Sequence, residues 1–322
     1  MSELPEGIQG ELISIITEGV IHDFFGCPDD VEINEDDVKL FLFTRQNEDT
    51  PVLINKSDPI QLDTTKPIKL LLPGWLCNIT NDEMPDLKNS YLQAYDCNVI
   101  ALDWTKYSID LYTNSFCFIP EIAKVLGKFL CYLQTDLNVS LSEIHVLGHS
   151  MGGQMAGFVG QETQKQCGVH IGRISGLDPA GPLYQGLDES RRLDESDAVF
   201  VDVIHTNERI LGYYGPCGTV DFFVNCGMQQ NGCTKVDPED IANTPLSIIG
   251  CNHLRSITYM NESIPSDNFV ATSCAGCSGI VDVCGPDLID RATTKMGEHL
   301  TEKPSRAKYW CPTNSEPPYA KG

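Results

Sequence analysis

Three short strings carry side chains that could do chemistry together. They are Gly148-His149-Ser150-Met151-Gly152-Gly153, Gly176-Leu177-Asp178-Pro179 and Cys251-Asn252-His253. A serine hydroxyl is a weak nucleophile at neutral pH and needs a base to take its proton. An imidazole can be that base, and a carboxylate behind it fixes the tautomer and stabilises the imidazolium. Such a set performs acyl transfer. Of the seven histidines, His253 lies downstream of the aspartate in a polar segment, which suits the base. His149 is adjacent to Ser150, but a sharp turn there points it away.

These side chains need elements that present them at one place. Glu143–Leu147 reads as a strand and Gln154 onward as a helix, so G-x-S-x-G falls on a strand–turn–helix elbow. The turn is tight, and the positions two before and two after the serine must be small; Gly148 and Gly152 satisfy this. Asp178 ends the apolar run Arg173–Leu177, and Pro179 stops further pairing, which puts a carboxylate at the C-terminal end of a strand. The order Ser, Asp, His along the chain is that of an α/β-hydrolase fold.

Apolar runs at Lys39–Phe43, Ile68–Leu72, Val99–Leu102, Ile144–Leu147, Ile174–Leu177 and Ala198–Ile204 have the length and content of buried strands. Between two of them, Ile119, Ile122, Leu126, Phe129, Leu130 and Leu133 recur at helical steps. Alternating strands and helices predict an α/β architecture, with a mostly parallel central sheet flanked by helices. No linker or repeat interrupts residues 1–322, which read as a single domain. The acidic stretch from Asp29 to Asp37 reads as a solvated loop.

Composition narrows the partners. The 322 residues carry a net charge of −23, and the sequence pI is near 4.5. Nothing in that balance would neutralise phosphates, so nucleic acid is excluded as a partner. Anionic membranes would repel the chain, whereas neutral or zwitterionic lipid surfaces would not. The acidity also fits simple solubility. No apolar run reaches the roughly 18 residues of a transmembrane helix. Fourteen cysteines, an even number, predict a disulfide framework made in an oxidising compartment. The Cys274–Cys277 step lacks the second pair or nearby histidine that zinc needs. Sequons start at Asn55, Asn78, Asn138 and Asn261 and agree with secretion. The acidic N-terminal segment lacks the apolar core of a signal peptide.

From Leu70 onward the chain resembles the pancreatic lipase family, particularly insect neutral lipases and phospholipases A1. The resemblance rests on IGRISGLDPAGP, DAVFVDVIHTN, VDFFVN, CNHLRS and MGEH together with the serine elbow. It implies that Ser150, Asp178 and His253 are a catalytic triad. It implies an oxyanion hole from the backbone N–H groups of Met151 and Trp75, and an acyl-pocket role for Tyr112, which also fits a plain core aromatic. The family usually has histidine before the glycine of the oxyanion loop, where this chain has Pro73. Glu189–Asp197 resembles the family's calcium loop, with Asp194 and Asp197 as carboxylate ligands and Glu189 and Arg192 as carbonyl ligands; such an ion would be structural, and no cofactor is otherwise required. The resemblance pairs Cys233 with Cys251 around a lid, Thr234–Gly250, charged early and apolar late. No C-terminal β-sandwich and no colipase docking are expected. The implied function is a secreted lipid carboxylic-ester hydrolase of triacylglycerol-lipase type. A phospholipase A1 is the alternative, favoured by the short loop between His205 and Asp221. A lipase-fold protein that binds lipid without catalysis, like insect yolk proteins, is a further alternative; those proteins lack the serine.

Overall fold

The computed structural model describes residues 10–11, 14, 26–54, 62–80, 83–235, 246–274, 292–300 and 307–322. In chain order the main elements are β1 (Lys39–Phe43), β2 (Val52–Leu53), β3 (Ile68–Leu72), α1 (Met84–Ala94), β4 (Asn98–Asp103), α2 (Thr105–Ser108), α3 (Tyr112–Thr135), β5 (Ile144–His149), α4 (Met151–Cys167), β6 (Arg173–Leu177), β7 (Val201–His205), β8 (Val220–Val224), α5 (Leu246–Ser263), β9 (Val270–Ser273), β10 (Thr293–Lys295) and β11 (Ala307–Cys311). The strands form one eleven-stranded sheet in the order β10-β9-β11-β8-β7-β6-β5-β3-β4-β1-β2. The run from β11 to β4 is parallel. Only the margins are antiparallel. The α/β-hydrolase expectation holds.

The parallel strands read as continuous apolar runs because both faces are covered. Leu70 and Leu72 pack with Ile119, Leu126, Met155 and Val159 of α3 and α4 on one face. Leu71 and Leu147 pack with Leu87, Tyr91, Ile257 and Met260 of α1 and α5 on the other. A disulfide between Cys131 and Cys167 ties α3 to α4, and Cys27 is joined to Cys117 on α3.

The expected runs fall on β1, β3, β4, β5, β6 and β7. The last strand starts later than its apolar run because Val199 is exposed. The expected disulfide framework is partial. Cys97, Cys217 and Cys311 are buried thiols, and burial raises the pKa of each, to about 11 for Cys97 and about 12 for Cys311. A thiol kept protonated in this way is inert.

The topology sets the place of the site. From β3 the chain passes to β4 on one side, and from β5 it passes to β6 on the other. The C-terminal ends of β3 and β5 therefore flank a switch point, where open α/β sheets leave a crevice. Leu72 and Gly148 are register partners at that end, so Pro73-Gly74-Trp75 and Ser150 emerge side by side.

Candidate active site

Ser150 follows β5 directly and precedes the first turn of α4, with φ 56° and ψ −124°. That backbone costs a non-glycine residue on the order of 1–3 kcal/mol, so its surroundings must hold it. They do so by backbone hydrogen bonds: Ser150 N–H donates to Leu177 O at 3.1 Å, and Ala180 N–H donates to Ser150 O at 3.0 Å. The flanking glycines are steric necessities. A Cβ on Gly148 would lie 2.1 Å from Gly152 O, and one on Gly152 would lie 2.1 Å from Leu72 O.

Asp178 stands just past β6, fully buried. Its Oδ1 accepts from the backbone N–H of Thr206 at 2.8 Å and of Asn207 at 3.0 Å. Its Oδ2 pairs with His253 Nδ1 at 2.6 Å. A proton on Nδ1 leaves Nε2 as the basic nitrogen. His253 lies on α5, whose start is anchored by the Cys233–Cys251 disulfide and by Gln230 N–H donating to Asn252 Oδ1 at 2.7 Å. Gln230 Nε2 in turn donates to Thr206 O and Val224 O. The loop that grips Asp178 and the helix that carries His253 thus share one buried glutamine, which no motif announced. Among the described residues, Ser150 Oγ has no hydrogen-bond partner, and contacts of this kind often tighten only on substrate.

The His149 ring is buried and meets that of His253 at 4.5 Å between centroids. Burial, with the neighbouring His253, holds the His149 pKa well below the ordinary imidazole range. It is a neutral wall against His253, a role not readable from the motif.

The loop after β3 is pinned at several points. Trp104 Nε1 donates to Pro73 O at 3.0 Å, and Trp75 Nε1 donates to Asp110 O at 2.8 Å. Leu76 takes φ 61° and donates to Ser108 O at 2.9 Å. A Cβ on Gly74 would come within 2.9 Å of Ser150 Cβ, so the loop lies against the elbow. Pro73 comes after the last paired residue of β3. Its missing N–H therefore costs no ladder bond. Among the described residues, the backbone N–H groups of Trp75 and Met151 meet no acceptor. Tyr112 is buried at the start of α3, edge-on to Trp75 at 5.2 Å, with its hydroxyl donating to Pro182 O at 3.0 Å.

The 189–197 segment lies elsewhere. It packs on α4 near Gln161, eleven residues beyond Ser150, or about 16 Å along the helix axis. Three of its four oxygen positions converge. Gln161 Nε2 stands 2.9 Å from Asp197 Oδ1 and 3.4 Å from both Glu189 O and Arg192 O. An all-oxygen set suits calcium, but the point of convergence holds an amide nitrogen. With that donor in place the residues do not fit a cation. Asp197 Oδ2 accepts from Asp194 N–H at 2.7 Å. Burial pushes the Asp197 carboxyl up to about 8, against the hydrogen bonds from Gln161 and Asp194.

Of the sequons, Asn138 is exposed in the left-handed region, Asn78 caps its own turn toward Thr80, and Asn261 is on α5 with its Oδ1 buried. Asn55 lies outside the described residues. So do residues 236–245 of the expected lid. Its late end, Ile248–Gly250, forms part of the first turns of α5, where Ile249 is buried. Among the described residues no helix is long and apolar enough to cross a membrane.

Comparison with known proteins identifies the family. The Lipase family model matches residues 23–319. Pancreatic lipase-related protein 2 of Mus musculus is 32% identical over 257 residues, covering 74% of this chain and 52% of its own length. Pancreatic triacylglycerol lipase of Ictidomys tridecemlineatus is 34% identical, with 74% and 54% covered. Phospholipase A1 of Vespula squamosa is 30% identical over 249 residues, with 74% and 79% covered. The chain spans about half the length of these mammalian relatives. By the match over nearly its whole length, the chain belongs to the Lipase family.

Proposed function

We propose that this protein hydrolyses carboxylic esters of lipids through an acyl-enzyme. The observation that carries the reading is the Asp178–His253 hydrogen bond at 2.6 Å, formed at the same edge of the sheet as the strained serine elbow. Ser150 Oγ attacks the ester carbonyl while His253 Nε2 takes its proton. Asp178, held by two backbone donors, stabilises the imidazolium. The N–H groups of Met151 and Trp75 receive the oxyanion, usually the largest catalytic term. Collapse passes the proton from His253 to the leaving alcohol. Water then attacks the acyl-serine with His253 again as base, which releases the fatty acid.

A phospholipase A1 reading has its own support. The wasp phospholipase is matched over 79% of its length, and the loop between His205 and Asp221 is short. The disulfides Cys27–Cys117, Cys131–Cys167 and Cys233–Cys251 support an extracellular setting. The charge of −23 favours a neutral or zwitterionic lipid surface. The test is turnover of a short-chain ester, a triacylglycerol and a phosphatidylcholine, each beside Ser150→Ala. Turnover that disappears in the variant is expected, and the preferred lipid separates lipase from phospholipase. No turnover on any of them, from folded protein, would sink the catalytic reading in favour of lipid binding.

A further inference from the structure

The face of α4 that meets the 189–197 segment is made of carboxamides and glycines. Gln154, Gly157, Gly160, Gln161 and Gln164 recur at three- and four-residue steps and so form one stripe. The glycines let the segment lie directly on the helix. A Cβ on Gly160 would stand 2.1 Å from Asp197 O, and one on Gly157 would stand 2.6 Å from Asp197 Oδ2. The glutamines then bond to it. Leu193 N–H donates to Gln154 Oε1 at 2.8 Å, Gln164 Nε2 donates to Ser196 O at 2.9 Å, and Gln161 Nε2 sits among the oxygens of Glu189, Arg192 and Asp197.

We propose that the Gln161 carboxamide occupies the position a divalent cation would take in this segment, so that the segment is built to stand without calcium. Two amide hydrogens facing three oxygens supply, as neutral donors, what a cation would supply as charge. The remaining charges are balanced locally. The Arg192 guanidinium lies 3.8 Å from Asp194 Oδ2 and donates to Leu187 O and Leu193 O. Asp197 has donors on both of its oxygens. Which end of the amide points inward follows from the same oxygens. An inward Oε1 would be a further acceptor among acceptors unless a cation lay between them.

The test is thermal melting of the full chain in chelator and in calcium at about millimolar concentration, the range of weak extracellular sites, with calorimetric titration of calcium alone. The wild-type melting temperature should be the same in both, and no binding heat should appear. Gln161→Ala uncovers the oxygens. In chelator it should melt a few degrees lower, about 2–4 °C for each kcal/mol lost, and calcium should restore it. Gln161→Glu adds a third carboxylate and should show the larger calcium response. Saturable calcium binding that raises the melting temperature of the wild type overturns the proposal. So does Gln161→Ala melting like the wild type with no response to calcium. If neither variant folds, the wild-type titration alone decides.

Discussion

Two regions of this molecule contain a serine, a histidine and an aspartate linked by hydrogen bonds or by position, at opposite ends of the same strands. At the C-terminal ends, Asp178 holds His253 at 2.6 Å, and the Ser150 N–H donates to Leu177 O, next to Asp178, at 3.1 Å. Toward the N-terminal ends, His145 Nε2 meets Ser175 Oγ at 2.7 Å, and Ser175 donates to Asp202 at 2.9 and 3.0 Å. The second cluster has the right residue types in the wrong order. Its serine lies between the acid and the imidazole, so the carboxylate does not support a base. Ser175 is fully buried on a regular strand, away from the backbone donors of a helix start. His145 faces Lys69 Nζ at 3.1 Å, and burial, with Lys69 and Arg173, keeps it neutral. Asp202 is already committed to Arg173 at 2.7 Å.

The second cluster is a fastener. Glu298 of the Met296-Gly297-Glu298-His299 string pairs with Lys69 at 2.7 Å and accepts from Tyr91 at 2.7 Å, while Arg173 donates to Gly297 O at 2.8 Å. The lesson is that the residue types alone do not make a catalytic triad. Bond order, access and a strained turn beside free N–H groups separate the two.

Exchanging equivalent residues between the clusters tests that separation. The largest effect is expected for serine. Ser150→Ala should lower kcat on a short-chain ester by about 10⁵–10⁶-fold, as for nucleophile loss in serine hydrolases generally, whereas Ser175→Ala should leave kcat unchanged. Comparable losses in both would erase the distinction. Next comes the acid. Asp178→Asn should cost about 10⁴-fold in kcat with little change in melting temperature, because it strands the wrong tautomer. Asp202→Asn should keep activity and lose about 3 kcal/mol of stability, measured by denaturant unfolding, because it removes the buried carboxylate that pairs with both Nε and Nη2 of the half-buried Arg173.

Gly74→Ala sharpens the contrast from the oxyanion side. The added methyl would press on Ser150 Cβ and displace the Trp75 N–H, with an expected loss of about 10²–10³-fold in kcat and an unchanged melting curve.

The smallest effect is in pH-dependent stability. His145 and His149 have folded pKa values below the unfolded value near 6.5. Above pH 6.5 both states are neutral and stability is intact. As pH falls below about 6.5 the unfolded chain takes up protons the folded chain refuses, so stability drops by up to about 1.4 kcal/mol per pH unit per histidine. His205 has the opposite sign. Its pKa is raised because, although burial lowers it, the hydrogen bond and charge of Asp221 outweigh burial, so its contribution is present below 6.5 and lost as pH rises through the folded value. Melting between pH 8 and 5 should show a decline on the acid side, shallower in His145→Gln. A flat profile would mean these rings are not buried as neutral groups.

Much of the fold and the site was legible because it is encoded locally. The runs at Lys39–Phe43 and Ile68–Leu72 match β1 and β3 to the residue. The serine elbow could be placed because strand, glycines and helix are contiguous. The strands Val220–Val224 and Ala307–Cys311 carry a weaker local signal. The second becomes a strand by pairing in parallel with the first across a long separation. The late end of the expected lid belongs to α5, since apolar content alone does not tell a flap from a buried helix turn.

The sequence by itself determined the turn at Ser150, the apolar strands and the order of Ser150, Asp178 and His253, since these depend on sterics and periodicity among neighbours. Only the tertiary structure decided which histidine meets Asp178, across 75 residues, and that His149 backs it. It alone placed Gln161 among the oxygens of the 189–197 segment and made Ser175 a structural serine. Those outcomes depend on hydrogen-bond partners and desolvation supplied by distant parts of the chain, and no local pattern contains them.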